Sequence, residues 1–481
     1  MSNDPKVLAN SVNLVSCLIQ DVKKSKEPFN ATEGVLRFDY FENIESPTVF
    51  ASLQIGEESM NNMISDLPLQ GGEHVEIKFE TVINEKNKTD HTYSFVIYKI
   101  YSRYVTDRFQ TYTLGLVSQE ALVNEMAMVG DVQKGLPSQI VINLLKDNLE
   151  TEKEVFVDEA MNKVKFQPGK KTPFSIIETL KMKTIADYGD SIQFSSSMTN
   201  KQREIVRTGG IGKVDSSHYK KMSGSAGYLF WENKDGYHFK SMDKLYDVKH
   251  NKPFSVTYKQ QNVQLAEDPR FVISHVEYEK EIDLLDKLRH GAYSSVICYY
   301  NFSTGSYEEY AYSLDNQFQD MKHLGPQDGV PAAQKMFSEY PTRIMSVLLD
   351  HETWHDDQSI ASPEPKDNDG SKNVKDDVFW DWQKFFTSQS IARFNSFNNQ
   401  QLQIKVPSNP MLVVGGIIDV KIMSQSADKN KPDKEWDKEH SGKYLISKVN
   451  HAFVPKKPIA ETFLTLIRDV YGDEITEVEI G

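Results

Sequence analysis

Two distant stretches of this 481-residue chain read as one β-module written twice. The first runs from Leu69 through Gly72, Val75, Ile77 and Phe79. The second runs from Leu412 through Gly415, Ile418, Val420 and Ile422. Glu76 and Lys78 fall on Asp419 and Lys421, so apolar positions match apolar ones and wet match wet. Two more elements repeat in the same order. Val96-Ile97-Tyr98-Lys99-Ile100 matches Leu445-Ile446-Ser447-Lys448-Val449. Thr111-Tyr112-Thr113-Leu114-Gly115-Leu116 matches Thr462-Phe463-Leu464-Thr465-Leu466-Ile467. Such a repeat constrains the architecture before any motif does. The apolar residues alternate with period two, which puts one face of each strand in a core and the other in water. The glycines ahead of each first strand supply a tight turn.

A doubled barrel lets three copies of one chain imitate a six-fold ring, which points to a symmetry adaptor rather than an enzyme. Along the chain, residues 1–117 form the first barrel and 118–262 an α/β module. Residues 263–324 open the second barrel, 325–400 make a helical and partly disordered excursion, and 401–481 supply the closing strands. Within the module, helices are expected at Ser118–Val129, Ser138–Leu149 and Phe174–Met182, the last with Thr172 as N-cap and Pro173 at the first helical position. Residues 195–227 are rich in Ser, Gly, Thr and Lys and read as a flexible insertion. A hairpin follows, with Tyr228–Trp231 and Tyr237–Phe239 flanking a turn that ends at Gly236. The second barrel opens near Phe271–Tyr278, breaks for a helix at Ile282–Arg289, and continues through Gly291–Asn301 and Tyr307–Leu314. Helical spacing at Ala332–Phe337, Thr342–Leu349 and Val378–Arg393 brackets an Asp-, Ser- and Pro-rich tract at Asp356–Lys375.

With 39% hydrophobic and 26% charged residues, the composition is that of a soluble globular protein. No run approaches the roughly 18 apolar residues of a membrane span. The opening residues lack the basic and apolar regions of a signal peptide. Cys17 and Cys298 are the only cysteines, which argues against a disulfide framework and fits assembly in a reducing cytoplasm. The net charge of −14 opposes direct nucleic-acid binding; it reads as a solubility feature, with a lumen that lets DNA slide past as the sharper alternative.

The run from Gly227 through Tyr228, Trp231, Gly236, Phe239 and Ser241 to Leu245 resembles the central baseplate hub protein of T-even-type contractile-tailed bacteriophages. Ile282–Leu288, Gly291-Ala292-Tyr293-Ser294-Ser295, Tyr307–Tyr312 and His323-Leu324 are similar to that family's entry into its second barrel. Gly442–Phe453 and Thr465–Asp469 are similar to its closing strands. The likeness runs from about residue 34 to 470 in the expected order, with longer insertions at 195–227 and 325–375. It implies a β-rich α+β fold with two tail-tube-like antiparallel β-barrels and an inserted α/β module. It also implies a homotrimeric hub in the virion baseplate, assembled in the host cytoplasm. Its partners would be the hexameric tail tube protein, a trimeric spike with or without a lysozyme domain, and baseplate wedge proteins. The chain ends at Gly481 without a β-helical repeat, so the spike is expected to be a separate polypeptide. No cofactor and no catalytic residue are implied.

One motif argues for chemistry instead. His351-Glu352-Thr353-Trp354-His355 matches the H-E-x-x-H zinc pattern, in which the two imidazoles bind Zn²⁺ and Glu352 activates its water. This gives the alternative of a tail-associated zinc peptidase or hydrolase. Against it, no third-ligand pattern follows and Asp356–Pro365 ends the helix at once. Gly209–Gly212 follows no clear strand and reads as a loop rather than a phosphate cradle. Asn30-Ala31-Thr32 and Asn87-Lys88-Thr89 match the glycosylation pattern and read as surface loops. The aromatic cluster from Trp380 and Trp382 to Phe385 and Phe386 reads as helix core, with a partner-binding ridge as the alternative. Because an insertion into the ring would block its channel, the excursion is expected to project away from the ring axis, with the Trp380 and Trp382 helix meeting the baseplate wedge.

Overall fold

The computed structural model describes residues 11–23, 27–58, 69–84, 87–187, 192–195, 219–222, 224–262, 264, 266, 268–280, 283–301, 306–318, 321–325, 337–338, 340–349, 382–424, 435–455 and 460–470. The chain begins with six long strands: β1 (Ser11–Gln20), β2 (Val35–Asn43), β3 (Phe50–Glu58), β4 (His74–Asn84), β5 (Asn87–Val105) and β6 (Phe109–Val117). They lie in the order β2-β3-β6-β5-β4-β1, every neighbour antiparallel. The alternation read from the sequence sets the faces. Val75, Ile77 and Phe79 are buried, while Glu76 and Lys78 pair with each other outside. Phe38, Tyr40, Tyr93 and Phe95 complete an aromatic core, and each such side chain contributes about 1.5–3 kcal/mol by leaving water.

An α/β module follows. It comprises α1 (Gln119–Met126), α2 (Pro137–Asn143), β7 (Glu154–Val157), α3 (Pro173–Lys181), β8 (Tyr228–Asn233), β9 (Gly236–Ser241) and α4 (Met242–Tyr246). The expected hairpin is β8–β9, with β7 added parallel to β9. Thr172 sits at the N-cap of α3 without using its hydroxyl there, and Pro173 starts the helix. A core of its own, with Ile177, Leu180, Phe230 and Phe239, holds the module together.

The second half supplies β10 (Thr257–Gln260), β11 (His275–Lys280), α5 (Leu284–His290), β12 (Ser294–Asn301), β13 (Ser306–Ser313), β14 (Arg343–Leu349), α6 (Trp382–Ser396), β15 (Gln400–Pro407), β16 (Ile417–Lys421), β17 (Gly442–Phe453) and β18 (Glu461–Arg468). Six of these strands lie in the order β11-β15-β18-β17-β16-β10, which repeats the first half strand for strand. One pairing differs: β10 runs parallel to β16, whereas β1 runs antiparallel to β4. No strand pairing joins β2 to β1, or β11 to β10, among the described residues. Among the described residues each half is therefore a six-stranded sheet, with no strand pairing that closes it into a barrel. The fold is the expected one: strand-rich, mostly antiparallel, with an inserted α/β module.

Three details depart from the sequence reading. Strands β12 and β13 do not continue the second barrel. They form a separate three-stranded sheet with β14, in the order β13-β12-β14. Thr342–Leu349, read as helical, is strand β14 over most of its length, where Met345 and Val347 pack on Ile297 and Tyr299 while Ile344 and Leu348 face out. The third repeat match slips by one residue. Ile97 lies opposite Leu116 and Ile446 opposite Leu466, so Leu116 corresponds to Leu466 and Leu114 to Leu464. A one-residue slip would have exchanged inward and outward faces, which two buried cores forbid.

Candidate assembly interface

The duplication is clearest where each half turns into its inner strand. Gly72 N–H donates to Ile97 C=O (2.7 Å) and Ile97 N–H to Glu73 C=O (2.9 Å). In the second half Gly415 N–H donates to Ile446 C=O (3.0 Å) and Ile446 N–H to Gly416 C=O (2.9 Å). Gly72 and Gly415 both sit at positive φ, +97° and +88°, a conformation in which glycine is favoured. Directly after, both halves carry the same irregularity: β5 against β6 between Ile97 and Lys99, and β17 against β18 between Ile446 and Lys448.

Beyond that point β17 changes neighbours. Its first part pairs with β16, and Lys448–Phe453 pairs antiparallel with β2, from Lys448 opposite Asn43 to Phe453 opposite Phe38. Sheet hydrogen bonding thus runs unbroken from one half of the chain into the other. Phe453 enters the first half's core, with its ring 4.5 Å from Phe79 and 6.1 Å from Phe38. A cleft of about 590 Å³ follows the joint, lined in part by Phe41, Phe50, Gln403, Asn450 and Phe463.

Buried polar groups fix the joint. Glu42 accepts from the Tyr40 hydroxyl, Lys234 N–H and Val414 N–H, each at 2.8 Å, and so ties β2 to the β8–β9 turn and to the loop before β16. Burial outweighs these donors and raises its carboxyl to about 7. Opposite Tyr40 in the joint, His451 donates from Nε2 to the Leu412 carbonyl (3.2 Å), which leaves Nδ1 to accept from the Thr462 hydroxyl (2.9 Å). Burial lowers its pKa to about 3, so the ring is neutral. Glu232 of the module accepts from Val49 N–H at 3.0 Å and pairs with Lys153 at 2.5 Å, and Lys153 also meets Glu120 at 2.7 Å. The module is thereby clamped to the first half.

No family model matches the chain, and no curated protein matches it. Among solved structures it is similar to the tail protein from Neisseria meningitidis MC58. The identity there is 11%, over 96% of this chain and 97% of that one, with a TM-score of 0.48. It is similar to the 43 kDa tail protein of prophage MuSo2 from Shewanella oneidensis, at 7% identity over 94% and 98% of the two chains and a TM-score of 0.47. A further neighbour is an E. coli component of the type VI secretion system described as similar to the T4 bacteriophage tail proteins gp27 and gp5. It shows 10% identity over 96% and 78% of the two chains, with a TM-score of 0.38. Two of these three neighbours are described as tail proteins and the third as similar to tail proteins.

The zinc-pattern residues His351, Glu352 and His355 lie outside the described residues, as do Gly209–Gly212 and Trp380. Among the described residues no group of three or more His, Cys, Asp or Glu is placed to hold a metal ion, and no helix is long and apolar enough to cross a membrane. Asn30 closes a turn, accepting from the Thr32 hydroxyl at 2.5 Å. Trp380 and the side chains of Trp382 and Phe385 lie outside the described residues; Phe386 of the same cluster is buried, as are Gln389 and Ala392 further along α6. Its Arg393 reaches Asp243 at 2.5 Å, and Gln389 accepts from Ala226 N–H at 2.8 Å. A buried guanidinium needs such a partner, and this holds the described end of the excursion against the module. Glu42 and His451 escaped the sequence reading; the one available signal was a charged or titratable residue at an inward strand position.

Proposed function

We propose that this chain is a structural hub of a phage tail baseplate. Three copies form a ring of six like sheets, and the ring adapts a hexameric tail tube to a trimeric spike around a channel for DNA. The observation that carries this reading is the β17–β2 joint, where two topologically equivalent sheets meet edge to edge within one chain. A chain that already holds two such units in register needs only a like joint between copies to make a closed ring. The six units present a repeating docking edge to a six-fold partner, while the true three-fold axis suits a three-fold one. The negative charge of the chain fits a lumen from which DNA is not retained.

The test is a mass measurement on the purified full-length chain over a concentration series, alone and with its spike. A three-chain species is expected. A monomer under both conditions would remove the ring.

A further inference from the structure

The cleft along the joint lies on the sheet face that turns away from both cores. Six strands run across that face without a break, in the order β3-β2-β17-β18-β15-β11. Side chains on one face recur every second residue, so the register sorts them into rows that cross the strands. In one row Phe50 lies opposite Phe41, Phe41 opposite Asn450, and Asn450 opposite Phe463. In the next row Asn43 lies opposite Lys448, Lys448 opposite Thr465, and Thr465 opposite Gln403, which faces Glu277. The irregularities of these strands fall outside both rows. An aromatic row and a polar row thus line one cleft of about 590 Å³.

Its size falls in the range of small-molecule sites, about 300–1,000 Å³. The three phenylalanines are exposed although they sit mid-sheet, 38% for Phe41, 41% for Phe50 and 39% for Phe463. Asn450 Oδ1, between two of these rings, is buried and has no hydrogen-bond partner among the described residues. A buried acceptor without a donor calls for one from outside. The polar row offers both kinds of partner. Asn43 Oδ1 is taken by Glu45 N–H at 3.1 Å, so its amide nitrogen is the end left to donate. Gln403 donates from its nitrogen to Glu279 at 2.8 Å, so its oxygen is the end left to accept. Lys448 adds donors and Glu277 acceptors. An anion would set acceptor against acceptor at Asn450 and Glu277, and a hydrocarbon would leave the polar row unanswered. Hydroxyl groups beside an apolar C–H surface answer both rows.

We propose that this cleft binds a neutral oligosaccharide, with its sugar rings on the Phe50–Phe41–Phe463 row and its polar groups on the row from Asn43 to Glu277. Asn450 Oδ1 accepts from a ligand O–H or amide N–H. Lys448 and Asn43 donate to ring or hydroxyl oxygens, and Gln403 and Glu277 accept from hydroxyls. Plain and N-acetylated glycans share this chemistry, and the acetamido group tells them apart. The site lies within one chain and stands whether or not three copies make a ring.

The experiment is titration calorimetry on the full-length chain with two probes, maltohexaose and the hexamer of N-acetylglucosamine. Saturable binding of at least one is expected, and a preference for either supports the site and names the source. Phe463→Ala and Asn450→Ala should each weaken that binding at least about ten-fold. Their unfolding midpoints should stay at the wild-type value, since both side chains face away from the cores. Phe463→Trp keeps a ring in the row, so it should retain binding and add an emission that shifts as the glycan binds. That variant decides the matter even where an alanine variant fails to fold. No saturable binding of either probe overturns the proposal and leaves the face to a protein partner. Binding that survives both alanine variants, or that leaves the emission added by Phe463→Trp unchanged, puts the glycan elsewhere and overturns this site.

Discussion

Phe453, the last residue of β17, stacks on Phe79 with ring centroids 4.5 Å apart, so the second half of the chain closes the core of the first. The two halves are therefore expected to unfold as one cooperative unit. Phe453→Ala is expected to cost about 3–5 kcal/mol, the range for truncating a fully buried aromatic ring. Denaturant unfolding monitored by two probes should show a lower midpoint with the transitions still coincident. Separate transitions for the two halves in the wild type would contradict the coupling.

Gly72 and Gly415 occupy equivalent turns, yet their surroundings differ. A Cβ on Gly415 would stand 2.6 Å from the Trp231 indole, while one on Gly72 would meet only Val22, at 3.2 Å. Both substitutions by alanine carry a positive-φ cost of about 1–2 kcal/mol. Gly415→Ala adds an overpacking cost of about 1–3 kcal/mol against the buried ring. Equilibrium unfolding should therefore rank Gly415→Ala as clearly the more damaging. Equal losses would mean that Trp231 moves aside freely.

What was legible in the sequence followed from local pattern. The alternation of Val75, Ile77 and Phe79 needed no partner to be read, and the glycines at 72 and 415 marked their turns. Strand β1 is hard to read from the sequence because its pattern slips: Val12 and Leu14 point inward, an irregularity falls between Leu14 and Ser16, and Cys17 and Ile19 resume the inward face. Strand β14 was misread because Ile344, Met345, Val347 and Leu348 satisfy helical spacing as well as alternation, and only pairing with β12 decides between them. The β17–β2 joint lay beyond reach, since it depends on which strands meet across some four hundred residues.

Arg393 and Asp243 form a buried pair that also involves Ser225, while Lys322 N–H donates to Asp243 at 2.9 Å. Arg393→Met leaves the carboxylate without its countercharge in the interior, at an expected cost of about 3–5 kcal/mol. Adding Asp243→Asn removes that charge and should recover part of the loss. A double-mutant cycle by thermal unfolding reads this as coupling between the two positions. Strictly additive losses would show that the pair is not the clamp on α6.

The joint contains two titrating groups that act in opposite directions. Glu42 has its pKa raised from 4.5 to about 7, so the folded state holds its proton more tightly and stability falls as pH rises between those values. His451 has its pKa lowered from 6.5 to about 3, so the unfolded state takes the proton and stability falls as pH drops between those values. Between about pH 4.5 and 6.5 the two slopes cancel. Glu42→Gln removes one of them, and the variant should then lose about 1.4 kcal/mol relative to wild type for each pH unit of descent between about 7 and 4.5. Unfolding free energies of both proteins, measured at several pH values from 4.5 to 8, give the difference directly. A difference that stays constant across pH 4.5–6.5 would show that Glu42 does not carry its proton in the folded joint.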